Sequence, residues 1–218
     1  MSQVKIVENI LKANDQIAFQ NRLQLDTHDV WAVNLMASPG AGKTSLLMCT
    51  AEALRGRLRV GAISGDTASQ VDAERIATVG IPTIQINTGG GCHLDANMLQ
   101  AALAQLPLDE IDLLLIENVG NLVCPANVKL GEHLDVVITS IPEGDDKPYK
   151  YPNIFVRVDA VVINKIDLLP YLDFDMEGFK KVVWGMNPNA QIFEVSCKTG
   201  AGLDVWVDWL MSKRANKG

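Results

Sequence analysis

Ala37-Ser38-Pro39-Gly40-Ala41-Gly42-Lys43-Thr44 stands between an apolar run, Trp31–Ala37, and a helical stretch over residues 45–54. In this order, strand, glycine-rich loop and helix wrap successive backbone N–H groups and a helix N-terminus around a triphosphate. Gly40, Ala41, Gly42, Lys43, Thr44 and Ser45 are then the phosphate-binding residues; Lys43 meets the β and γ oxygens and the Thr44 hydroxyl binds Mg²⁺. The pattern departs from the usual one at its opening glycine, here Ala37, which matters only if that position needs a positive φ or the closest backbone approach.

Outward from this loop, short apolar runs alternate with helical stretches. Candidate strands cover residues 31–37, 60–64, 83–86, 111–116, 135–140, 160–164 and 191–195, and candidate helices 44–55, 68–79, 94–106, 174–184 and 203–213. Runs apolar on both faces indicate a parallel sheet covered on both sides, so the expected class is α/β, doubly wound, with ligands beyond the carboxyl ends of the strands. A leading helix over 3–24 carries Val7, Ile10, Leu11, Ile17 and Ala18 on one stripe, with Asn14 as a polar member. No repeat or linker divides residues 1–218, which are expected to form a single domain. Residues 142–152 hold three prolines and read as a solvated surface loop.

Of the 218 residues, 48% are apolar or aromatic, enough for a full-sized core. The net charge of −7 argues against a surface that coats nucleic acid. Four cysteines and three histidines are too sparse for a disulfide framework. No apolar run reaches the length of a membrane span, and the first nine residues interleave charge with apolar residues, unlike a secretory leader. No membrane partner and a cytoplasmic location are the expectation.

The base is chosen further along, where residues 160–163 run into Asn164-Lys165-Ile166-Asp167. A carboxylate at Asp167 can accept from both the N1–H and the 2-amino group of guanine; adenine offers neither donor there. Ser196-Cys197-Lys198, after the last strand, is placed to cap the base through its backbone. For the γ-phosphate and Mg²⁺, the stretch Glu117-Asn118-Val119-Gly120 supplies an acid and, three residues later, a glycine N–H. Asp66 supplies a second acid, to orient water or join the metal shell, and Asp72 a further Mg²⁺ candidate. Lys43, Asp66 and Glu117 are thus the expected catalytic set. Without a partner-supplied group, turnover of GTP to GDP is expected at about 10⁻⁴ to 10⁻² s⁻¹.

Thr88-Gly89-Gly90-Gly91-Cys92-His93-Leu94-Asp95 follows the third strand. Adjacent Cys92 and His93 can share an ion only on an irregular loop, which the three glycines permit. With Cys124, which precedes Pro125, they form a soft to borderline set suited to Zn²⁺ or Ni²⁺ with an open fourth position; the competing reading is of small buried thiols. His28 and His133 have no ligand type near them in sequence and read as solvated or packing residues, Cys49 as core, and Cys197 as a residue whose size matters more than its thiol.

Pro-Gly-Ala-Gly-Lys-Thr, the Gly-Asp-Thr segment, Gly-Gly-Cys-His-Leu-Asp-Ala, Glu-Asn-Val-Gly-Asn-Leu-Val-Cys-Pro and Asn-Lys-Ile-Asp, in this order, resemble the HypB family of hydrogenase nickel-incorporation GTPases, of the SIMIBI class. The resemblance spans about residues 30 to 210 and is most specific over residues 117–125. It implies a GTP-favoured homodimer with Cys92, His93 and Cys124 holding metal near the interface. It also implies delivery of nickel to [NiFe]-hydrogenase, meeting the large subunit indirectly and with a small nickel-binding partner of the HypA type. Neither a His-rich tract nor a Cys-rich N-terminal nickel motif occurs in the sequence, so storage of many nickel ions is not expected.

Two alternatives stand beside this reading. A urease-type GTPase of the UreG kind carries a Cys-Pro-His metal motif, whereas here Cys92 and His93 are adjacent, which favours the hydrogenase branch. The other is a nucleotide-stabilised metal-binding scaffold whose hydrolysis is incidental. In the preferred reading, γ-phosphate and Mg²⁺ order the Asp66 and Glu117-to-Gly120 loops, and the short tether from Gly120 to Cys124 carries that state to the metal ligands.

Overall fold

The computed structural model describes residues 3–66 and 71–215. Its centre is a seven-stranded sheet, ordered β3-β2-β4-β1-β5-β6-β7, in which every pairing is parallel. The strands are β1 (Trp31–Ala37), β2 (Val60–Asp66), β3 (Thr83–Asn87), β4 (Leu113–Glu117), β5 (Leu134–Ser140), β6 (Ala160–Asn164) and β7 (Gln191–Glu194). The doubly wound α/β architecture expected from the alternating apolar runs is the one observed.

Alternate side chains of the strands feed opposite layers. Val33, Leu35 and Ala37 of β1 face a cluster shared with α2 (Lys43–Ala53), α3 (Val71–Ala77) and α8 (Leu203–Ala215). There Trp206 is fully buried and its Nε1 donates to Thr50 Oγ1 at 2.9 Å, so the last helix is fastened to the helix that follows the phosphate loop. On the other face, Ala32 packs under α1 (Gln3–Thr27) and α4 (Ala96–Leu103), while Met36 packs under α6 (Pro152–Phe155) and α7 (Met176–Met186). Between Ala32 and Met36 lies Asn34, fully buried, and it opens a polar seam between those two apolar clusters.

Several element limits differ from the sequence reading, each for a local reason. The fourth helix starts at Ala96 rather than residue 94, because Asp95 caps it by accepting from Met98 N at 2.7 Å. Asp175 does the same for α7. The leading helix extends past residue 24 to Thr27 and stops before Asp29, whose φ is +54°. Its inward stripe is the expected one in part: Asn14, Ile17 and Ala18 face the fold and Asn21 and Leu25 continue the stripe, whereas Leu11 is exposed. The side chains of Val7 and Ile10, together with Thr67 and residues 68–70 of the expected third helix, lie outside the described residues.

Residues 142–152 are not a solvated irregular loop. They form a turn over Ile141–Glu143 and the short helix α5 (Lys147–Lys150), running into α6; prolines 148 and 152 occupy first-turn positions, where the missing N–H costs nothing. Lys147 reaches Ser38 Oγ at 3.0 Å and Glu143 at 3.1 Å, so the segment lies against the phosphate loop.

At the opposite end of the sheet, the Asp112 carboxylate accepts from Arg59 Nη2 at 2.7 Å, Arg59 N at 2.8 Å and Arg59 Nε at 3.1 Å, joining the entries of β2 and β4. This bonding pulls the Asp112 carboxyl down to about 2 from 3.8. A depressed carboxylate stabilises the fold above its unfolded value, and the contribution fades as pH falls toward the folded one. Urea unfolding is expected to show Asp112→Asn weaker than wild type by about 1 kcal/mol at pH 7, since the pair is partly exposed, with the gap shrinking to roughly half by pH 3. A gap that is constant from pH 7 to pH 3 would contradict this account of the pair.

Candidate functional site

The loop between β1 and α2 opens onto a cleft of 540 Å³, lined by Pro39, Gly40, Gly42, Lys43, Thr44, Ser45, Asp66, Asp72, Arg75, Glu117, Gly120 and Lys165 among others. The backbone of Ala37 lies in ordinary strand conformation, so the missing opening glycine carries no strain; the positive φ angles fall on Gly40 (+80°) and Gly42 (+102°). A Cβ on Gly42 would stand 2.3 Å from Asn164 Nδ2, and the position therefore requires glycine.

Two groups of opposite sign, the half-buried Lys43 and the buried Glu117, lie within reach of each other's charge in the cleft. Burial lowers the Lys43 pKa, and the nearby Glu117, Asp72, Glu143 and Asp66 charges oppose that shift. Burial also raises the Glu117 carboxyl, against hydrogen bonds from Thr44 and Ser64 and the charge of Lys43. Thr44 Oγ1 donates to Glu117 Oε1 at 2.7 Å, so the hydroxyl and the carboxylate converge on one spot. An oxygen pair of this kind suits Mg²⁺, a hard cation with a taste for oxygen ligands. Asp66 ends β2 on the rim of the cleft, and Asp72, in the first turn of α3, pairs with Arg75 at 3.4 Å. Gly120 packs against the loop so closely that a Cβ would lie 3.1 Å from Pro39 Cγ, which places its backbone at the phosphate end.

A second cavity, of 330 Å³, adjoins the first and is lined by Gly42, Ser45, Asn164, Lys165, Asp167, Leu168, Cys197 and Lys198. Asn164 is its hub: Nδ2 donates to Ala41 O at 3.1 Å, and Oδ1 accepts from Lys165 N at 2.7 Å and Cys197 N at 3.3 Å. Lys165 holds a left-handed φ of +62°, and its Nζ returns to Gly40 O at 2.7 Å, tying the base segment to the phosphate loop. Ser196 Oγ donates to Asp167 Oδ1 at 2.6 Å and so steers that carboxylate. Cys49, half-buried on α2, lies with its Sγ 3.5 Å from Cys197 O.

The three metal candidates meet. One ligand atom each from Cys92, His93 and Cys124 lies within 4.8 Å of the others, and Cys92 Sγ is 3.4 Å from His93 Nδ1. The loop carrying the first two is irregular as the glycines predict, with φ of +60° at Gly89 and +93° at Gly90. Cys124 opens a one-turn helix, Cys124–Asn127, with Asn121 Oδ1 accepting from Val123 N at 2.8 Å ahead of it. Two thiols and an imidazole at this separation fit a thiophilic or borderline ion such as Ni²⁺ or Zn²⁺. The remaining histidines have other partners: the His133 ring stacks on Trp31 and accepts from Ala32 N at 3.0 Å, and His28 lies 2.6 Å from Asp109.

Sequence patterns assigned no role to four further residues. Arg75 stands on the rim of the phosphate cleft, Lys147 touches Ser38, and Asn34 and Asn118 form the buried seam below the metal loops. Only Asn118 had a signal, its place between Glu117 and Gly120.

Residues 31–194 match the family described as CobW/HypB/UreG, nucleotide-binding domain. The hydrogenase maturation factor HypB of Azotobacter vinelandii is 46% identical over 214 residues, covering 98% of this chain and 71% of that protein. The crystal structure of HypB from Helicobacter pylori in complex with nickel superposes with a TM-score of 0.89 at 36% identity, covering 93% of this chain and 95% of that one. HypB from Archaeoglobus fulgidus gives a TM-score of 0.87 at 42% identity, covering 94% and 100%. The chain therefore belongs to the CobW/HypB/UreG family of nucleotide-binding proteins, and within it to the HypB hydrogenase maturation factors.

Proposed function

We propose that this protein is a GTP-hydrolysing metallochaperone that binds nickel at Cys92, His93 and Cys124 and assists its insertion into [NiFe]-hydrogenase. The observation that carries the reading is the convergence of those three ligand atoms within 4.8 Å on the loops that continue β3 and β4, beside the phosphate cleft. The cargo is nickel, with zinc able to occupy the same donor set.

In this reading Gly40 to Ser45 cradle the phosphates of GTP, and Lys43 neutralises charge on the β and γ oxygens. Thr44 and Glu117, with Asp66 and Asp72 close by, would hold Mg²⁺, which would supply charge neutralisation at the phosphates. Asp66 orients the attacking water, and the Gly120 N–H meets the γ-phosphate. Asp167 reads guanine, while the Ser196 to Lys198 backbone covers the base. Release of the γ-phosphate frees the Gly120 segment, and the four-residue path to Cys124 passes the change to the metal ligands. The apolar side chain of Val123, 63% exposed beside Cys124, suits an interface with a second copy of the chain, and GTP is expected to favour that dimer. A small nickel-binding protein of the HypA type is the expected partner, with the hydrogenase large subunit as the eventual recipient. Action in the cytoplasm is the expected setting; among the described residues no helix is long and apolar enough to cross a membrane.

Base selection is tested by Asp167→Asn, which exchanges a two-fold acceptor for an amide. GTP affinity is expected to fall on the order of 10⁴-fold while xanthosine triphosphate becomes the preferred nucleotide. A variant that still prefers GTP would overturn the role of Asp167.

Hydrolysis and delivery are separated by Lys43→Ala, assayed in single turnover and in parallel for nickel transfer to apo-hydrogenase. The expectation is a loss of at least about 100-fold in hydrolysis, accompanied by loss of nickel transfer. Undiminished transfer by a variant that retains nucleotide would instead identify a scaffold whose hydrolysis is incidental.

A further inference from the structure

Glu117 and Asn118 are consecutive at the end of β4 and send their side chains to opposite sides of the sheet. Glu117 accepts from Thr44 at the phosphate end, whereas Asn118, 1% exposed, turns to the layer beneath the metal loops. Its Oδ1 accepts from Leu94 N at 3.0 Å and from Val119 N at 2.9 Å. A single amide oxygen therefore joins the residue after His93 to the residue before Gly120.

The direction of this amide is set from below. The Asp135 carboxylate only accepts, so Asn34 presents Nδ2 to it, at 2.9 Å. The Asn34 Oδ1 is thereby left to accept from Asn118 Nδ2, at 3.2 Å, and Asn118 Oδ1 is turned toward the loops. Lys129 anchors Asp135 at the foot of the chain through its other oxygen. Every polar atom in the relay from Asp135 to Leu94 N thus has a partner, the condition under which a buried network holds one geometry.

The outer ends of the same loops are fixed independently. Asn14 of α1 accepts from Ala96 N at 2.9 Å and donates to Lys129 O at 2.8 Å; Asn21 donates to Ala96 O and Leu130 O, both at 2.8 Å. With those ends pinned, the tie at Asn118 sets how the segment bearing Cys92 and His93 lies against the segment leading to Cys124.

We infer that Asn118 is a positioning residue for the metal site: its side-chain oxygen holds the Cys92–His93 loop in register with the γ-phosphate-facing loop, and Asn34 orients it. The inference rests on the reading of Cys92, His93 and Cys124 as nickel ligands, and its consequence is that a residue outside that ligand set, with its side chain turned to the layer beneath the loops, governs nickel affinity.

Hydrogen exchange on the full chain, free of nucleotide and metal, tests the tie without reference to nickel. The amides of Leu94 and Val119 are expected to be protected in wild type and to exchange at least about 10-fold faster in Asn118→Ala. Nickel titration is then expected to show affinity weakened about 10- to 100-fold in Asn118→Ala, with GDP affinity kept within about 3-fold as the sign of an intact fold. Asn118→Asp keeps an oxygen opposite both N–H groups but sets its second oxygen against Asn34 Oδ1, acceptor to acceptor, and is expected to weaken nickel affinity as well; wild-type affinity in it would overturn the part given to Asn34. Unprotected Leu94 and Val119 amides in wild type overturn the proposal, whatever the variants do. So does nickel affinity unchanged in Asn118→Ala. Cys92→Ser is the companion control: if it binds nickel like wild type, the ligand assignment has failed, while the exchange data still decide the tie.

Discussion

The fit between the end of β4 and the phosphate loop governs the upper end of this molecule. Thr44 donates to Glu117 at 2.7 Å, and Gly120 lies where a single added carbon would press on Pro39. Both contacts follow from the strand order. Because β4 lies between β2 and β1, its carboxyl end emerges beside the loop that leaves β1, and whatever follows Glu117 must pass over the phosphates. The metal loops inherit this constraint: one continues β4 itself, and the other follows β3 at the sheet edge and is drawn in by Asn118.

Burial of ionisable groups sets the electrostatics at this end of the sheet. Lys43 and Glu117 are each held against their preferred charge by burial, and each is the other's nearby counter-charge. In the proposed reading a triphosphate and Mg²⁺ bring charge of both signs into this cleft, so their arrival and departure would alter the balance at Glu117. Its neighbour Asn118 is hydrogen-bonded to the loop of Cys92 and His93. Coupling between the two sites needs no long pathway, since one peptide unit carries both side chains.

Much of this was legible in the sequence. The apolar runs gave all seven strands and the doubly wound class, because runs apolar on both faces have few other uses. Glycines marked the phosphate loop and the irregular path that lets Cys92 and His93 point together, and both are seen in the backbone angles. What escaped was long-range polar pairing. Asn14 read only as the polar member of an apolar stripe and Asn21 carried no pattern, yet they fasten α1 to segments 75 or more residues away. Asn34 sits in mid-strand, where a polar residue carries no pattern until Asp135 and Asn118 are brought beside it. Residues 142–152 were misread because their prolines occupy first turns of short helices, a placement that proline count alone does not reveal.

The central claim is that nucleotide state and metal site share one free energy. It is tested most directly by nickel affinity measured with GDP and with a non-hydrolysable GTP analogue, both with Mg²⁺, together with the affinity of each nucleotide with and without nickel. The account predicts that nickel affinity differs between the two nucleotide states by about 5- to 150-fold, and that nickel shifts the relative affinity for the two nucleotides by the same factor. Equal nickel affinity in both states, with nucleotide affinities indifferent to nickel, would contradict it.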